Sequence, residues 1–249
     1  KKVQGMKSIL KDPNLQELFE RDGFITLNNL LSEQTADFFK KEIDIGLKDT
    51  LSYSDVGVGS VVQDGMKFTN LANVEIQKKI QNDILHYLKE PLFEYFTQEY
   101  IFSVILATKK SHSYGGGGHV GAHIHGYNCS NDDTPAVSLF VPMQDMDNIM
   151  GLVGFVKASY KLWDGAITTG YEGNVLSINP HLQSLIDDYI SFQKLKVGQA
   201  VLFHSQTIHI GWPVCSTSEK DRYALTLDLF PKNQKFIYYE MKSNPEGKC

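Results

Sequence analysis

Over roughly the first hundred residues apolar side chains recur at helical spacing; beyond them they alternate or run in short β-branched blocks. Asn14 to Arg21 predicts a short amphipathic helix stopped by Asp22-Gly23, and Phe24 to Leu27 predicts a strand. Ser32 is the expected N-cap of a second helix whose apolar face is Phe38, Phe39 and Ile43. Leu51 to Met66, rich in Gly, Ser, Asp and Val, has no helical period and predicts a loop that covers a site. Ile76, Ile80, Ile84 and Leu88 predict a third helix over 74–89, with Pro91 as a break or fresh start. Strands are expected over 101–108, 137–143, 152–156, 200–203 and 223–230, interrupted by one helical patch over 182–192.

Helices followed by strands predict an α+β chain with a mainly β core, a sandwich or barrel braced by the helices of about residues 1–100. The 249 residues contain no linker and no internal repeat, so a single domain over 1–249 is expected. A net charge of −5 with lysines only in pairs gives no basic stripe, which argues against nucleic acid as a partner. The apolar run Ile101 to Ala107 is too short to span a bilayer, so no membrane association is expected. Cys129, Cys215 and Cys249 are odd in number and far apart, which points to a reducing, cytoplasmic setting rather than a disulfide framework.

The chemistry centres on His123-Ile124-His125. In an extended chain both imidazoles project from one face while Ile124 turns into packing, and imidazole is a common ligand for zinc, iron, copper and nickel. A packed histidine pair without metal is the alternative reading of the same residues. Gly115 to Gly118 lacks the Lys-Ser/Thr ending and following helix of a phosphate loop, so it reads as a hinge into the histidine strand. A second block runs from Gly198 to Trp212 and contains His204 and His209; Arg222 follows. Of 24 basic residues only Arg21 and Arg222 are arginines, and arginine grips a carboxylate bidentately as lysine cannot.

These blocks, with Phe19 to Ser32 and Met150 to Lys161, resemble the phytanoyl-CoA dioxygenase family of Fe(II)- and 2-oxoglutarate-dependent oxygenases. The likeness runs over most of the chain, with Tyr160 standing where the family's Gly-Ser-His-Lys stretch has histidine. The resemblance implies a double-stranded β-helix, or jelly roll, with helices on one sheet. It implies His123 as first metal ligand, His209 as distal ligand and Arg222 as anchor for the far carboxylate of 2-oxoglutarate, with O2 as co-reactant. The implied reaction is oxidation of an unactivated C–H bond of a small molecule, with release of succinate and CO2.

The family's first motif is His-x-Asp, whereas here His125 stands in the carboxylate's place. Several outcomes stay open: a three-histidine iron site at His123, His125 and His209, a zinc site that activates water, a carboxylate supplied by Asp132 or Asp133, or a jelly roll that binds without catalysis. Tyr127, Trp212 and His119 are candidates to line a substrate pocket, and His112 lies near them, although aromatics beside such strands are as often core. His204 is expected to be structural, and His86 and His181 to carry no special role.

Overall fold

The computed structural model describes residues 7–48, 66–69, 72–111, 120–125, 134–162, 168–172, 175–178, 184–215 and 217–232. Helix α1 (Pro13–Asp22) starts where Asp12 accepts hydrogen bonds from the Asn14 and Leu15 amides, and Pro13 sits where no intrahelical donor is needed. It ends at Gly23, whose φ of +81° suits a residue without a Cβ and whose amide donates to the Phe19 carbonyl. Strand β1 (Phe24–Leu27) follows at once. Ser32 caps α2 (Glu33–Leu47), which buries Phe39, Ile43 and Leu47. Asn73 caps α3 (Val74–Phe93), which buries Ile80, Ile84, Leu88 and Leu92.

The third helix corrects the expected break at Pro91: it runs two residues further, to Phe93. Proline removes one backbone donor, but it falls in the last turn, and burial of Leu88 and Leu92 against the core holds that turn in place.

The remaining strands are β2 (Met66–Phe68), β3 (Tyr100–Lys110), β4 (Val120–His125), β5 (Val137–Pro142), β6 (Val153–Val156), β7 (Thr168–Glu172), β8 (Val175–Ile178), β9 (Ile190–Gln193), β10 (Ala200–His204), β11 (His209–Gly211) and β12 (Arg222–Pro231). Among the described residues the strands form two antiparallel six-stranded sheets, in the orders β1-β10-β5-β12-β3-β2 and β7-β8-β4-β11-β6-β9. Phe24, Val201 and Phe203 of the first sheet pack on Val153 and Phe155 of the second, so the sheets face each other as a jelly roll. The helices cover the other face of the first sheet, where Leu139, Val141, Leu202, Leu225 and Leu227 join Phe39, Ile43, Ile84 and Leu88 in one core.

The helical patch expected over 182–192 is corrected in its second half. Helical turns end at Tyr189, and Ile190–Gln193 is a strand paired with β6. The exposed ladder of β6 needs hydrogen-bond partners, which outweighs the helical spacing of the side chains there. Strands β2, β7 and β8 were not expected from the pattern. Of the predicted loop over 51–66, only Met66 is described, and it opens β2.

Candidate metal centre

Strands β4 and β11 lie side by side with His123 opposite His209. His123 and His125 share one face of β4, while Ala122 and Ile124 on the other face pack with Val156, Ile178 and Ile208. The three imidazoles therefore converge between the sheets: His123 and His209 ring centroids are 4.0 Å apart, and His125 and His209 are 4.9 Å apart. All three are buried, and one nitrogen from each lies within 4.8 Å of the others.

Hydrogen bonding fixes how the rings present themselves. The Nδ1 of His123 lies 2.7 Å from the Gly121 carbonyl, and that of His209 lies 2.9 Å from the Thr207 carbonyl. A carbonyl only accepts, so both Nδ1 atoms carry the proton and each Nε2 keeps its lone pair. His125 Nδ1 sits 3.0 Å from Asp228 Oδ1 and 2.9 Å from Ser138 Oγ, and the serine hydroxyl donates to the same carboxylate oxygen. Burial, and then the neighbouring His125, hold the His123 pKa down to about 3. Burial and the other two rings likewise push His209 well below its ordinary value. Both rings are thus neutral at physiological pH, the form that can ligate a cation.

The surroundings are apolar on one side. The Phe203 ring lies 4.7 Å from His209, and Phe155 lies 6.0 Å from it.

Arg222 opens β12 and is buried. It donates to the Gly151 carbonyl at 2.6 Å and to the Trp212 carbonyl at 3.4 Å, its guanidinium lies over the Phe140 ring, and its Nε has no hydrogen-bond partner among the described residues. Burial lowers its pKa to about 9, which still leaves it charged at neutral pH. Gly151 sits at φ +74°, and a Cβ there would lie 2.3 Å from the Pro213 carbonyl oxygen, so only glycine lets this loop close on Arg222.

The structure thus brings together His123, His125 and His209, with Arg222 against the chain that leaves β11. The Trp212 ring is half exposed and meets Phe192 at 5.0 Å; its backbone carbonyl, and not its ring, faces Arg222. Tyr127, His119, His112, Asp132 and Asp133 lie outside the described residues. His204 stacks on Tyr160 at 4.6 Å and accepts from the Gln206 amide, away from the triad. Tyr160 donates to the Glu20 carbonyl, tying its turn to α1. Sequence reasoning passed over Asp228, Ser138 and Lys110. Their signal was parity: Asp228 is six residues beyond Arg222 on one strand, hence on the same face, and Ser138 and Lys110 are the cross-strand partners of those two residues.

No protein-family model matches the sequence, and no curated protein does. Solved structures do match in fold. HygX from Streptomyces hygroscopicus, with nickel, 2-oxoglutarate and hygromycin B bound, is 13% identical, with a TM-score of 0.60 over 89% of this chain and 88% of its own. The non-heme alpha-ketoglutarate-dependent epimerase SnoN from nogalamycin biosynthesis is 16% identical, with a TM-score of 0.60 over 90% and 84%. The carbocyclase SnoK from the same biosynthesis is 13% identical, with a TM-score of 0.58 over 88% and 84%. At these identities the likeness shows the fold alone: this chain shares the jelly-roll fold of HygX, SnoN and SnoK.

Proposed function

We propose that the protein is an Fe(II)- and 2-oxoglutarate-dependent oxygenase of the phytanoyl-CoA dioxygenase type. In this reading it oxidises an unactivated C–H bond of a small molecule and releases succinate and CO2. The observation that carries this reading is the pairing, inside one jelly roll, of three inward-facing imidazoles with a buried guanidinium that no carboxylate among the described residues neutralises. The similar folds of HygX and SnoN have been seen with nickel or Fe3+ and with 2-oxoglutarate or alpha-ketoglutarate, which supports the same cofactor and cosubstrate here.

The donor set fits the metal. His123, His125 and His209 would hold it through Nε2, with Nδ1 of each ring fixed by a backbone carbonyl or by Asp228. Arg222 fits the cosubstrate, since its orphaned Nε and long bond to Trp212 leave donor capacity for a distal carboxylate. Iron with 2-oxoglutarate supplies the oxidising power, and O2 is the other reactant. The chain's part is to orient: Asp228 holds the His125 ring, Arg222 sets the depth of the dicarboxylate, and Phe155 and Phe203 keep water from one side of the histidines. Asp228 also answers the loss of the His-x-Asp carboxylate, because its negative charge remains one hydrogen bond behind the ligand that replaced it.

A zinc hydrolase is the second reading, favoured by the all-imidazole ligand set. Incubation of anaerobically purified protein with Fe(II), 2-oxoglutarate and then oxygen separates the two. Succinate formed only with iron supports the oxygenase; no succinate with any candidate substrate, together with copurified zinc, overturns it. A His125→Asp variant run alongside reports whether the altered ligand limits turnover.

None of the described helices is long and apolar enough to cross a membrane.

A further inference from the structure

A second basic side chain lies beside Arg222, and neither the motif nor the triad accounts for it. Lys110 ends β3 directly opposite Arg222 on β12. Its side chain is buried, although lysine is among the residues least often found inside a protein. On β3 the partly buried Ile105 and the buried Ala107 pack with the helices and Lys109 reaches Asp44 of α2, so Thr108 and Lys110, of opposite parity, turn inward.

The Nζ of Lys110 lies 3.3 Å from the Trp212 carbonyl and 3.5 Å from that of Gly211, and the same Trp212 carbonyl accepts from Arg222. Two buried basic side chains therefore converge on one stretch of backbone, two and three residues beyond His209. No carboxylate of a described residue pairs with either. Two long bonds to neutral carbonyls are poor compensation for a buried ammonium beside a guanidinium, and its pKa falls well below the ordinary lysine value, first through burial and then through the Arg222 charge. Packing gives no reason for a charge here, since the cross-strand neighbour Met66 shows that an unbranched apolar side chain fits the same row.

We propose that Lys110 and Arg222 together form the binding site for the distal carboxylate of the cosubstrate, with Lys110 the residue that selects a dicarboxylic over a monocarboxylic 2-oxo acid. This inference rests on the oxygenase reading above. A carboxylate bound there favours the protonated Lys110 that burial alone disfavours, and with the planar fork of Arg222 and the compact head of Lys110 it can take hydrogen bonds from both. A 2-oxo acid without the second carboxylate offers neither side chain an acceptor and so gains nothing from Lys110.

The test is calorimetric titration of anaerobic Fe(II)-loaded protein with 2-oxoglutarate and, separately, with 2-oxobutanoate. The comparison runs over wild type, Lys110→Met and Lys110→Arg, with thermal unfolding of each ligand-free variant as the folding control. Lys110→Met is expected to weaken 2-oxoglutarate binding by about 10- to 100-fold, the usual range for losing a charge-assisted bond. Its affinity for 2-oxobutanoate should hold or improve, its unfolding temperature should match or exceed the wild type, and Lys110→Arg should recover most of the lost affinity. Equal weakening toward both acids, or no change in their ratio, overturns the inference while leaving the oxygenase reading standing. Failure of the wild type to bind 2-oxoglutarate overturns both. If Lys110→Met unfolds, Lys110→Arg and Lys110→Gln decide the matter through the same ratio.

Discussion

The two faces of strand β12 divide the molecule's work. Tyr223, Leu225, Leu227 and Leu229 point toward the helices and join the main core, while on the opposite face Asp228 meets His125 and Arg222 meets the Gly151 and Trp212 carbonyls. Strand β5 repeats the division: Val137, Leu139 and Val141 go to the core, and Ser138 goes to Asp228. Stability and candidate chemistry are thus one residue apart along the same backbone. A single-residue slip in register would exchange them, and the buried aliphatic face is what forbids it.

That division should show first as a difference in stability. Leu227→Ala is expected to cost about 2–5 kcal/mol in a denaturant titration, the range for truncating a fully buried leucine. The metal affinity of the folded fraction should stay at the wild-type value. A parallel fall in metal affinity would mean that the two faces are not separable.

On the opposite face, Asp228→Asn keeps shape but removes the charge behind His125. Metal affinity should drop about 10- to 100-fold in a chelator-competition titration, the usual cost of losing a carboxylate behind a ligating histidine. The unfolding midpoint should move less than for Leu227→Ala. An unchanged affinity would show that Asp228 merely fills space.

The histidines give a smaller effect through pH. An unfolded imidazole takes up a proton near 6.5, whereas folded His123 stays neutral until about 3, and folded His204, buried, until about 4. The unfolded state therefore binds more protons in that window. Stability is complete above pH 6.5 and declines as pH falls toward those folded values, by up to about 1.4 kcal/mol per pH unit for each such histidine. Urea unfolding of metal-free protein at pH 7.5, 6.5 and 5.5 measures this, and a flat profile would contradict the buried neutral rings. The smallest change is expected for Ser138→Ala, about 1 kcal/mol, because Asp228 and His125 keep their hydrogen bond to each other when the hydroxyl is lost, with a few-fold loss of metal affinity.

Much of this was legible from residues alone. The Asp22-Gly23 stop, the Ser32 cap and the four-residue spacing of Ile76, Ile80, Ile84 and Leu88 each act within a turn or two of chain, and the structure follows them. The convergence of His123, His125 and His209 followed from strand alternation together with a family resemblance that supplied the distal partner. Where the pattern misled, the deciding interaction was remote. Ile190–Gln193 is a strand because β6 needs an edge partner, and Pro91 is tolerated because Leu88 and Leu92 are buried. Asp228 and Lys110 went unremarked because an isolated charge in an apolar strand shows its purpose only once the cross-strand neighbours are known.

Visible spectroscopy of anaerobic Fe(II)-loaded protein on addition of 2-oxoglutarate reports on the ligand set, the cosubstrate and their contact together. The wild type should bind a single iron per chain and develop the weak charge-transfer band of a chelated 2-oxo acid, and His209→Ala should lose both. Iron that binds as well without His209, or iron bound by all three histidines with no band at saturating 2-oxoglutarate, would contradict the oxygenase site.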